Sequence, residues 1–219
     1  MNKKVVITGS TGMVGSILLH ICLHSEKISE VVALVRKKSG IKNEKLKEVV
    51  VNDFLNYEEY VHHFKNVDIV LYCLGVYTGA VRPNKFREIT VDYPLALAAS
   101  IVKHSPQASF CLLSGQGADR SEQSKIMFAR DKGAAENGLA AIGFKSFFTF
   151  RPGYIYPTVS RKEPNLFYQI SRIAYPLIKL LGNNLSVTSE QLAKAMFLVG
   201  VEGHSGEIIE NREIRILAK

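Results

Sequence analysis

Short runs of apolar and β-branched residues alternate with longer helical patterns along most of the chain. The runs predict strands at 4–8, 30–36, 46–51, 68–75, 109–114 and 146–153. The patterns between them predict helices at 12–24, 56–65, 83–104 and 121–142. Strands separated by helices pair in parallel, because each helix returns the chain to the same end of the sheet. The sequence therefore predicts an α/β fold, a doubly wound parallel sheet with helices on both faces.

The pattern is weaker after Gly153. Helices are expected at 164–181 and 188–200, and short strands at 207–210 and 213–217. A chain of 219 residues that is 47% hydrophobic can build one sizeable core but not two ordinary domains. We therefore expect a single domain over 1–219, in which about 154–219 completes a substrate pocket.

The formal charge of +8 first suggests a nucleic-acid partner, but its distribution argues against one. Residues 1–110 and 111–219 each carry 14 basic and 10 acidic side chains, without a basic tail or a stripe interleaved with aromatics. A local excess lies at Arg36–Lys47, where six basic residues accompany Glu44. We expect no nucleic-acid partner.

The chain also lacks the marks of export or membrane insertion. No apolar run approaches the roughly 18 residues of a membrane span, and the run after Lys4 is too short for a secretory signal. Cys22, Cys73 and Cys111 lie in apolar surroundings without metal-ligand spacing. We expect buried free thiols, a cytoplasmic location and no membrane partner.

A glycine-rich turn, TGSTGMVG at 8–15, follows the first predicted strand and opens the first helix. Gly9 permits a tight turn, Gly12 lets the backbone approach a pyrophosphate, and Gly15 allows helix and strand to pack closely. Free N–H groups at the helix start then face the anion. No Gly-Lys-Ser/Thr follows, so a phosphate-loop NTPase is not expected. The turn predicts dinucleotide binding by Gly9, Thr11, Gly12, Met13, Val14 and Gly15.

The end of the second strand bears on the choice of dinucleotide. NAD sites usually place an acid there for the ribose 2′-hydroxyl, but this chain has Arg36 and Lys37. Arginine can hold a 2′-phosphate with two charge-assisted hydrogen bonds, so these residues favour NADP(H) as the cofactor. The alternative is a basic turn that contacts only solvent. Asp53, after the third strand, either accepts from the adenine amino group or is a plain turn residue.

Several segments together resemble one known family. They are the initial TGxxGxxG pattern, CLGVYTGA (73–80), FREITVDY (86–93), LLSGQGAD (112–119), FRPG (150–153) and EIIENREI (207–214). The chain resembles the atypical or extended short-chain dehydrogenases/reductases, and among them the Tat-interacting-protein-like oxidoreductase branch. The resemblance implies a seven-stranded parallel Rossmann sheet with NADP(H) along the carboxyl ends of its strands.

The resemblance also implies roles for individual residues. Ser114 matches a catalytic serine that hydrogen-bonds a substrate carbonyl. Lys132 matches the lysine that holds the nicotinamide ribose and lowers its partner's pKa. Residues expected to line the cofactor are Leu74, Gly75 and Val76 on the adenine–ribose side, and Pro152 and Gly153 near the carboxamide.

One position departs from the family. Members place a tyrosine four residues before the lysine as proton donor, and this chain has Phe128 there. Tyr154 or Tyr77 could supply a hydroxyl instead, or each could be only a wall residue. Ser124 could act through water. Asp119 and Arg120 could bind a polar substrate, although capping of the next helix is the simpler role.

Two classes of function remain open. The first is an NADP(H)-dependent oxidoreductase acting on a carbonyl or hydroxyl group of a small molecule, with Ser114, Lys132 and Tyr154 as candidate catalytic residues. The second is a non-catalytic NADP(H)-binding regulator of a protein partner. The six histidines show no metal-site spacing, so no metal is expected. Homodimers through helices are common in this fold.

Overall fold

A computed structural model describes residues 2–158 and 185–219. In this part of the chain, seven strands form one parallel sheet in the order β3-β2-β1-β4-β5-β6-β9. These strands are β1 Lys3–Thr8, β2 Ile28–Val35, β3 Leu46–Val50, β4 Ile69–Tyr72, β5 Ser109–Leu113, β6 Ser146–Arg151 and β9 Ile208–Glu210. A separate parallel pair consists of β7 Tyr154–Tyr156 and β8 Ser186–Thr188. The predicted doubly wound Rossmann sheet is confirmed.

Helices connect the strands. They are α1 Met13–His24, a 3₁₀ helix Glu58–Phe64, α2 Pro83–Arg87, a π-helical segment Glu88–Asp92, α3 Tyr93–His104, α4 Met127–Ala141, α5 Ser189–Glu202 and α6 Asn211–Leu217. The predicted helix at 83–104 is therefore interrupted by a π-helical turn, and Pro83 occupies its first turn as expected. None of the helices among the described residues is long and apolar enough to cross a membrane.

The core consists of two apolar layers, one on each face of the sheet. Strand β1 shows why its sequence is continuously apolar: Val5 and Ile7 pack into one layer, and Val6 packs into the other. On the first face, α1 and α5 cover the sheet with Leu18 and Met196, both fully buried. The 3₁₀ helix, α3 and α4 cover the second face. Because the sheet is packed on both faces, the strands are held in place, and so are the strand ends that carry the candidate site.

Two predicted elements in the described chain require correction. Residues 213–217 were expected to be a strand but belong to α6, where Ile214 is fully buried and Ile216 is exposed. The fourth helix was expected from 121 but begins at Met127. Asp119 accounts for the delay, because its carboxylate accepts the N–H groups of Ser121, Gln123 and Ser124 in an irregular loop. The helix expected at 164–181 lies outside the described residues.

The sheet order places the candidate site. Strand β1 lies between β2 and β4 in the sheet. The connection after β1 therefore runs to one side of it and the connection leading to β4 runs to the other, and a crevice forms between them at the carboxyl ends of the strands. Two hydrogen bonds join the neighbouring strand ends: the Cys73 N–H donates to the Thr8 carbonyl at 3.2 Å, and the Leu74 N–H donates to the Thr8 side-chain Oγ1 at 3.3 Å. The residues after β1, β4, β5 and β6 therefore meet at one edge.

Candidate functional site

A cavity of about 610 Å³ opens at this edge of the sheet. Its walls are mainly apolar and come from the turn after β1, the ends of β4, β5 and β6, and helix α4. It brings together twelve of the predicted site residues: Gly12, Met13, Val14, Gly15, Leu74, Gly75, Val76, Ser114, Lys132, Pro152, Gly153 and Tyr154. Five predicted cofactor residues do not line it: Gly9, Thr11, Arg36, Lys37 and Asp53.

The glycine turn is built as its spacing predicts. Gly9 has φ +68, a backbone conformation that disfavours any residue with a side chain. A Cβ there would also lie only 2.6 Å from the main chain of Cys73, so the space for a side chain is missing as well. A Cβ on Gly15 would lie 2.1 Å from the Gly9 carbonyl oxygen, which explains the close approach of α1 to the turn. These two glycines hold the turn beneath the cavity.

Gly12 has a different environment. Its N–H donates to the Gly9 carbonyl at 2.8 Å, and a Cβ on Gly12 would have that carbonyl oxygen, 3.1 Å away, as its one neighbour within 4 Å in the described chain. The residue is exposed and lines the cavity. No side chain caps the start of α1, so the first-turn N–H groups remain available to an anion.

Arg36 and Lys37 lie directly beyond β2, at the same sheet edge as the glycine turn. Both are exposed, and neither side chain makes an ion pair with any residue that the structure describes. Thr11 is exposed in the glycine turn. The two cations therefore lie outside the cavity, at the sheet edge that carries the glycine turn.

Asp53 makes the contact of a turn residue. Its Oδ1 accepts the Leu55 N–H at 2.8 Å, and its main-chain carbonyl accepts the Asn56 N–H at 3.3 Å. Of the two roles considered from sequence, the structure displays the turn role, and a contact with adenine stays a prediction.

Lys132 lies on α4 and lines the cavity. Its Nζ donates to the Leu113 carbonyl at 3.2 Å, which is its one hydrogen bond among the described residues. Burial lowers the pKa of Lys132 to about 8, although the negative charge of Glu136 and the Cys73 thiol oppose this shift. At the end of β5 this amine therefore stays mostly protonated below about pH 8, but it loses its proton more readily than an exposed lysine.

Ser114 is less available than the sequence suggested. Its Oγ donates to Glu136 Oε1 at 2.6 Å in a buried contact. A hydroxyl has one proton to donate, so in this geometry Ser114 can only accept a hydrogen bond from a molecule in the cavity. The expected donation from Ser114 to a substrate carbonyl would require the bond to Glu136 to break.

Glu136 is one of two site residues that the sequence did not predict. It is completely buried, one turn after Lys132 on α4, and is ion-paired with Arg151 at 2.6 Å and Arg120 at 2.9 Å. Thr149 donates to it as well, at 3.0 Å. Burial alone would raise the pKa of Glu136, but hydrogen bonds from Arg151, Ser114 and Arg120 outweigh burial and lower it. Its spacing of four residues from Lys132 places both side chains on one face of α4, and this was the sequence signal that could have identified it.

Phe128 lies one turn before Lys132 and lines the cavity. Its ring tip packs on Gly115: a Cβ at that glycine would be 2.6 Å from Phe128 Cζ. Cζ is the atom that carries the hydroxyl in a tyrosine. The structure therefore places a hydrocarbon ring at the cavity one helical turn before Lys132.

The alternative hydroxyls have unequal access to the cavity. Tyr154 lines it from β7, but its hydroxyl oxygen is buried from solvent. Tyr77 is half-buried and also lines it. Ser124 does not line it, and its Oγ accepts the Ile126 N–H at 3.2 Å. Arg120 does not reach it either, because its guanidinium is paired with Glu136 and Glu207.

The Pro152–Gly153 turn is fixed by a second residue that was not predicted. Asn211, buried at the start of α6, accepts the Gly153 N–H at 2.8 Å and donates to the Ser186 carbonyl at 3.1 Å. Gln116 donates its N–H to the Pro152 carbonyl at 2.9 Å. The turn is therefore anchored to the strand end that carries Ser114.

The cysteines and histidines supply no further chemistry in the site. Cys22 and Cys111 are buried free thiols, as expected, and Cys73 is a partly buried one at the cavity wall. Within residues 2–158 and 185–219, no group of three His, Cys, Asp or Glu side chains could hold a metal ion.

Comparison with family models connects this geometry to known proteins. Residues 5–130 match the model described as the NAD dependent epimerase/dehydratase family. The match runs from β1 into α4 and covers more than half of the chain, including the glycine turn, Ser114 and Phe128.

Similar proteins cover nearly the whole chain. The chain is 29% identical over 223 residues to Protein HTATIP2 of Rattus norvegicus, covering 100% of this chain and 90% of that protein. It is 23% identical over 206 residues to Protein FMP52, mitochondrial, of Meyerozyma guilliermondii, covering 91% and 86%. Its fold matches a short chain dehydrogenase from Burkholderia cenocepacia J2315 in complex with NADP, with TM-score 0.67, 15% identity, and 94% and 86% coverage. At that identity the structural match shows the fold alone.

Proposed function

Because this chain belongs to the NAD dependent epimerase/dehydratase family, with the fold of the short-chain dehydrogenases, we propose that it is an NADP(H)-dependent oxidoreductase. Its substrate would be a small molecule with a carbonyl or hydroxyl group. The observation that carries the proposal is the cavity, which unites the glycine turn, Ser114, Lys132 and the Pro152–Gly153 turn at one sheet edge.

The residues present fit a dinucleotide. Gly12 leaves open space on the cavity side of the turn, and the start of α1 has no side-chain cap, so an anionic pyrophosphate can approach main-chain N–H groups. Leu74, Gly75 and Val76 would line the adenine–ribose side. Gly9, Thr11, Met13, Val14 and Gly15 complete the turn. When bound, the dinucleotide supplies or accepts the hydride.

Arg36 and Lys37 support NADP(H) as the form that is bound. Both cations are exposed beside the glycine turn, and no described acidic side chain pairs with them. A guanidinium can hold a 2′-phosphate with paired hydrogen bonds, whereas NAD(H) offers only a hydroxyl there. Asp53 remains a candidate for the adenine amino group, since its Oδ2 makes no hydrogen bond with the described residues.

Lys132 and Ser114 would act at the reactive end of the cavity. Lys132 Nζ uses one of its donors on Leu113, which leaves the others for ribose hydroxyls. Ser114, with its proton directed to Glu136, would accept a hydrogen bond from a substrate hydroxyl. Pro152 and Gly153 would border the carboxamide. Tyr154 would serve as a wall, because its hydroxyl oxygen is buried.

Turnover tests this proposal. Purified protein is mixed with NADPH and a broad panel of small aldehydes and ketones, and the loss of nucleotide absorbance is followed. The proposal predicts oxidation of NADPH with at least one class of compound. Saturable NADPH binding without turnover on the whole panel would contradict the enzyme assignment.

A second candidate function is a non-catalytic NADP(H)-binding protein that regulates a partner. Two observations favour it: Phe128 has no proton to donate, and the Ser114 hydroxyl is engaged with Glu136. Intact nucleotide binding with no turnover, in both the natural protein and Phe128→Tyr, would make this candidate the better one.

We also propose that 1–219 forms one domain in which about 154–219 completes the substrate pocket. The free thiols support the cytoplasm as its location, whereas the FMP52 relative is called mitochondrial. A homodimer through surface helices is a further proposal, and light scattering on the purified chain tests it.

A further inference from the structure

Reduction of a carbonyl leaves its oxygen in need of a proton, and Phe128 occupies the position at which the resemblance would place a donating tyrosine. Phe128 presents only carbon at this point. Ser114 directs its proton away from the cavity toward Glu136. The Tyr154 hydroxyl oxygen is buried. The inference below rests on the proposed oxidoreductase function and concerns which group gives the proton.

Lys132 has the required position. It lines the same cavity as Phe128 and follows it by one turn of α4, so the two side chains share a helix face. Its Nζ lies within hydrogen-bonding distance of the Leu113 carbonyl, at the end of β5 and directly before Ser114. An ammonium has three N–H donors, and the described chain engages one of them.

We propose that Lys132 is itself the general acid of this protein, replacing the family's tyrosine. The substrate carbonyl carbon gains the hydride, and the π electron pair of the C=O bond moves onto oxygen. That oxygen takes a proton from Lys132 Nζ, leaving a neutral amine, an alcohol product and an oxidised dinucleotide. The amine regains its proton from solvent before the next turnover.

The surroundings of Lys132 suit proton transfer near neutral pH. Burial lowers its pKa to about 8, so the ammonium gives up its proton more readily than an exposed lysine. The ionisable groups acting on it are Glu136 from α4 and Cys73 from the end of β4, and both favour the charged form. Arg151 and Arg120 lie beyond Glu136 and neutralise much of its charge.

The first test uses the protein without nucleotide. Lysine side chains labelled with ¹⁵N are titrated by NMR, and the Lys132 signal is assigned as the one missing in Lys132→Arg. Lys125→Arg, which removes an exposed lysine just before α4, controls for loss of an unrelated signal. The proposal predicts that Lys132 titrates near pH 8, below the other lysines. Titration together with the exposed lysines, near pH 10 or above, would overturn it.

The second test measures NADPH binding and turnover in the same variants. Lys132→Arg keeps a positive charge but holds its proton too tightly to donate it. We expect turnover at saturating NADPH to fall by about 10²–10⁴-fold, the usual contribution of a general acid, while NADPH still binds saturably. Lys125→Arg should match the natural protein in both measurements.

A rescue variant separates proton donation from folding or positioning. Adding Phe128→Tyr to Lys132→Arg restores a hydroxyl beside a fixed positive charge, so turnover should recover at least about tenfold. In the natural protein the turnover number should fall as pH rises through about 8, because the acid must be protonated. In the double variant that decline should move to another pH.

The outcomes distinguish this inference from the function on which it rests. If Lys132→Arg keeps full turnover and Tyr77→Phe abolishes it, the enzyme assignment stands and Lys132 is not the acid. If the natural protein binds NADPH but never turns over, the oxidoreductase proposal fails and this inference fails with it. Loss of turnover in Lys132→Arg, with retained NADPH binding and rescue by Phe128→Tyr, supports both.

Discussion

Ser114 Oγ donates to Glu136 Oε1 at 2.6 Å, so the serine at the cavity is bonded to a carboxylate that lies entirely inside the protein. The same carboxylate is ion-paired with Arg120 and Arg151. The end of β5, helix α4 and strand β6 are thereby joined by charge-assisted hydrogen bonds directly behind the cavity. This arrangement makes Glu136 important for both folding and the site.

Replacing Glu136 should be costly. Glu136→Gln leaves two guanidinium groups without their shared carboxylate, and breaking a buried ion pair typically costs about 3–5 kcal/mol. Glu207 and Glu210 still pair with Arg120 and Arg151, so we expect the lower end, about 3 kcal/mol, in urea unfolding at pH 7. Glu44→Gln, at an exposed position, is the matched control. Equal midpoints for the two variants would contradict the expectation.

The same variant gives a pH signature. The pKa of Glu136 is lowered in the folded protein. Its contribution to the free energy of unfolding is therefore present above the pKa of about 4.3 that it has in the unfolded chain, and is lost as pH falls through its pKa in the folded protein. The stability gap between the natural protein and Glu136→Gln should therefore narrow in acid. Unfolding curves from pH 7 down to pH 3 measure it, and a gap that widens on acidification would refute the assignment.

Gly12 should be a binding position that the fold does not need. Gly12→Val places a side chain on the open side of the turn, where an incoming pyrophosphate must nearly touch the backbone. Overpacking costs about 1–3 kcal/mol, so NADPH affinity should fall by roughly 10–100-fold in a fluorescence titration. Gly15→Val is the contrasting variant, because its side chain would collide with the Gly9 carbonyl and destabilise the fold. Unchanged NADPH affinity in Gly12→Val would show that the turn is misassigned.

Arg36 should set the preference for NADPH. Arg36→Asp removes the paired donors and repels a 2′-phosphate, so the ratio of NADPH to NADH affinity should fall by about 10–100-fold and reverse or vanish. Lys103→Asp makes the same charge change at an exposed position on α3 and should leave the ratio alone. An equal effect from both variants would mean that net charge, not a specific contact, governs the preference.

Phe128→Tyr should raise turnover of small carbonyl compounds by less than about threefold in the natural protein, where Lys132 already donates the proton, and by at least about tenfold in Lys132→Arg. The new hydroxyl lies one helical turn from Lys132, whose positive charge favours the phenolate and lowers the tyrosine pKa. NADPH affinity should change little, since one heavy atom is added. Because the ring tip packs on Gly115, the combined variant Gly115→Ala/Phe128→Tyr tests geometry: the added methyl displaces the ring and should cancel the gain. A rise of about tenfold or more in the natural protein would show that Lys132 does not suffice as the proton donor.

The sequence predicted the parts of this structure that depend on local patterns. Both faces of β1 are buried, so its apolar run was informative, and the glycine spacing at Gly9 and Gly15 reflects contacts within one short turn. The placement of Ser114 and Lys132 at one cavity followed from the family resemblance.

What the sequence did not predict depends on partners distant along the chain. The segment 213–217 alternates like a strand, yet it continues a helix whose first residue, Asn211, binds the main chain of Gly153 and Ser186. The spacing of Glu136 from Lys132 places both on one helix face, but the burial of its carboxylate depends on Arg120 and Arg151, which only the fold brings to it. Such contacts arise only when the sheet is assembled.

A titration of the natural protein with NADPH and with NADH, followed by nucleotide fluorescence, tests the central claim most directly. A dinucleotide held by the glycine turn and Arg36 predicts saturable binding of one NADPH per chain, with NADH bound at least about tenfold more weakly. Equal affinities for the two nucleotides would remove the role of Arg36. Absence of saturable binding of either nucleotide would contradict the assignment of this cavity as a dinucleotide site.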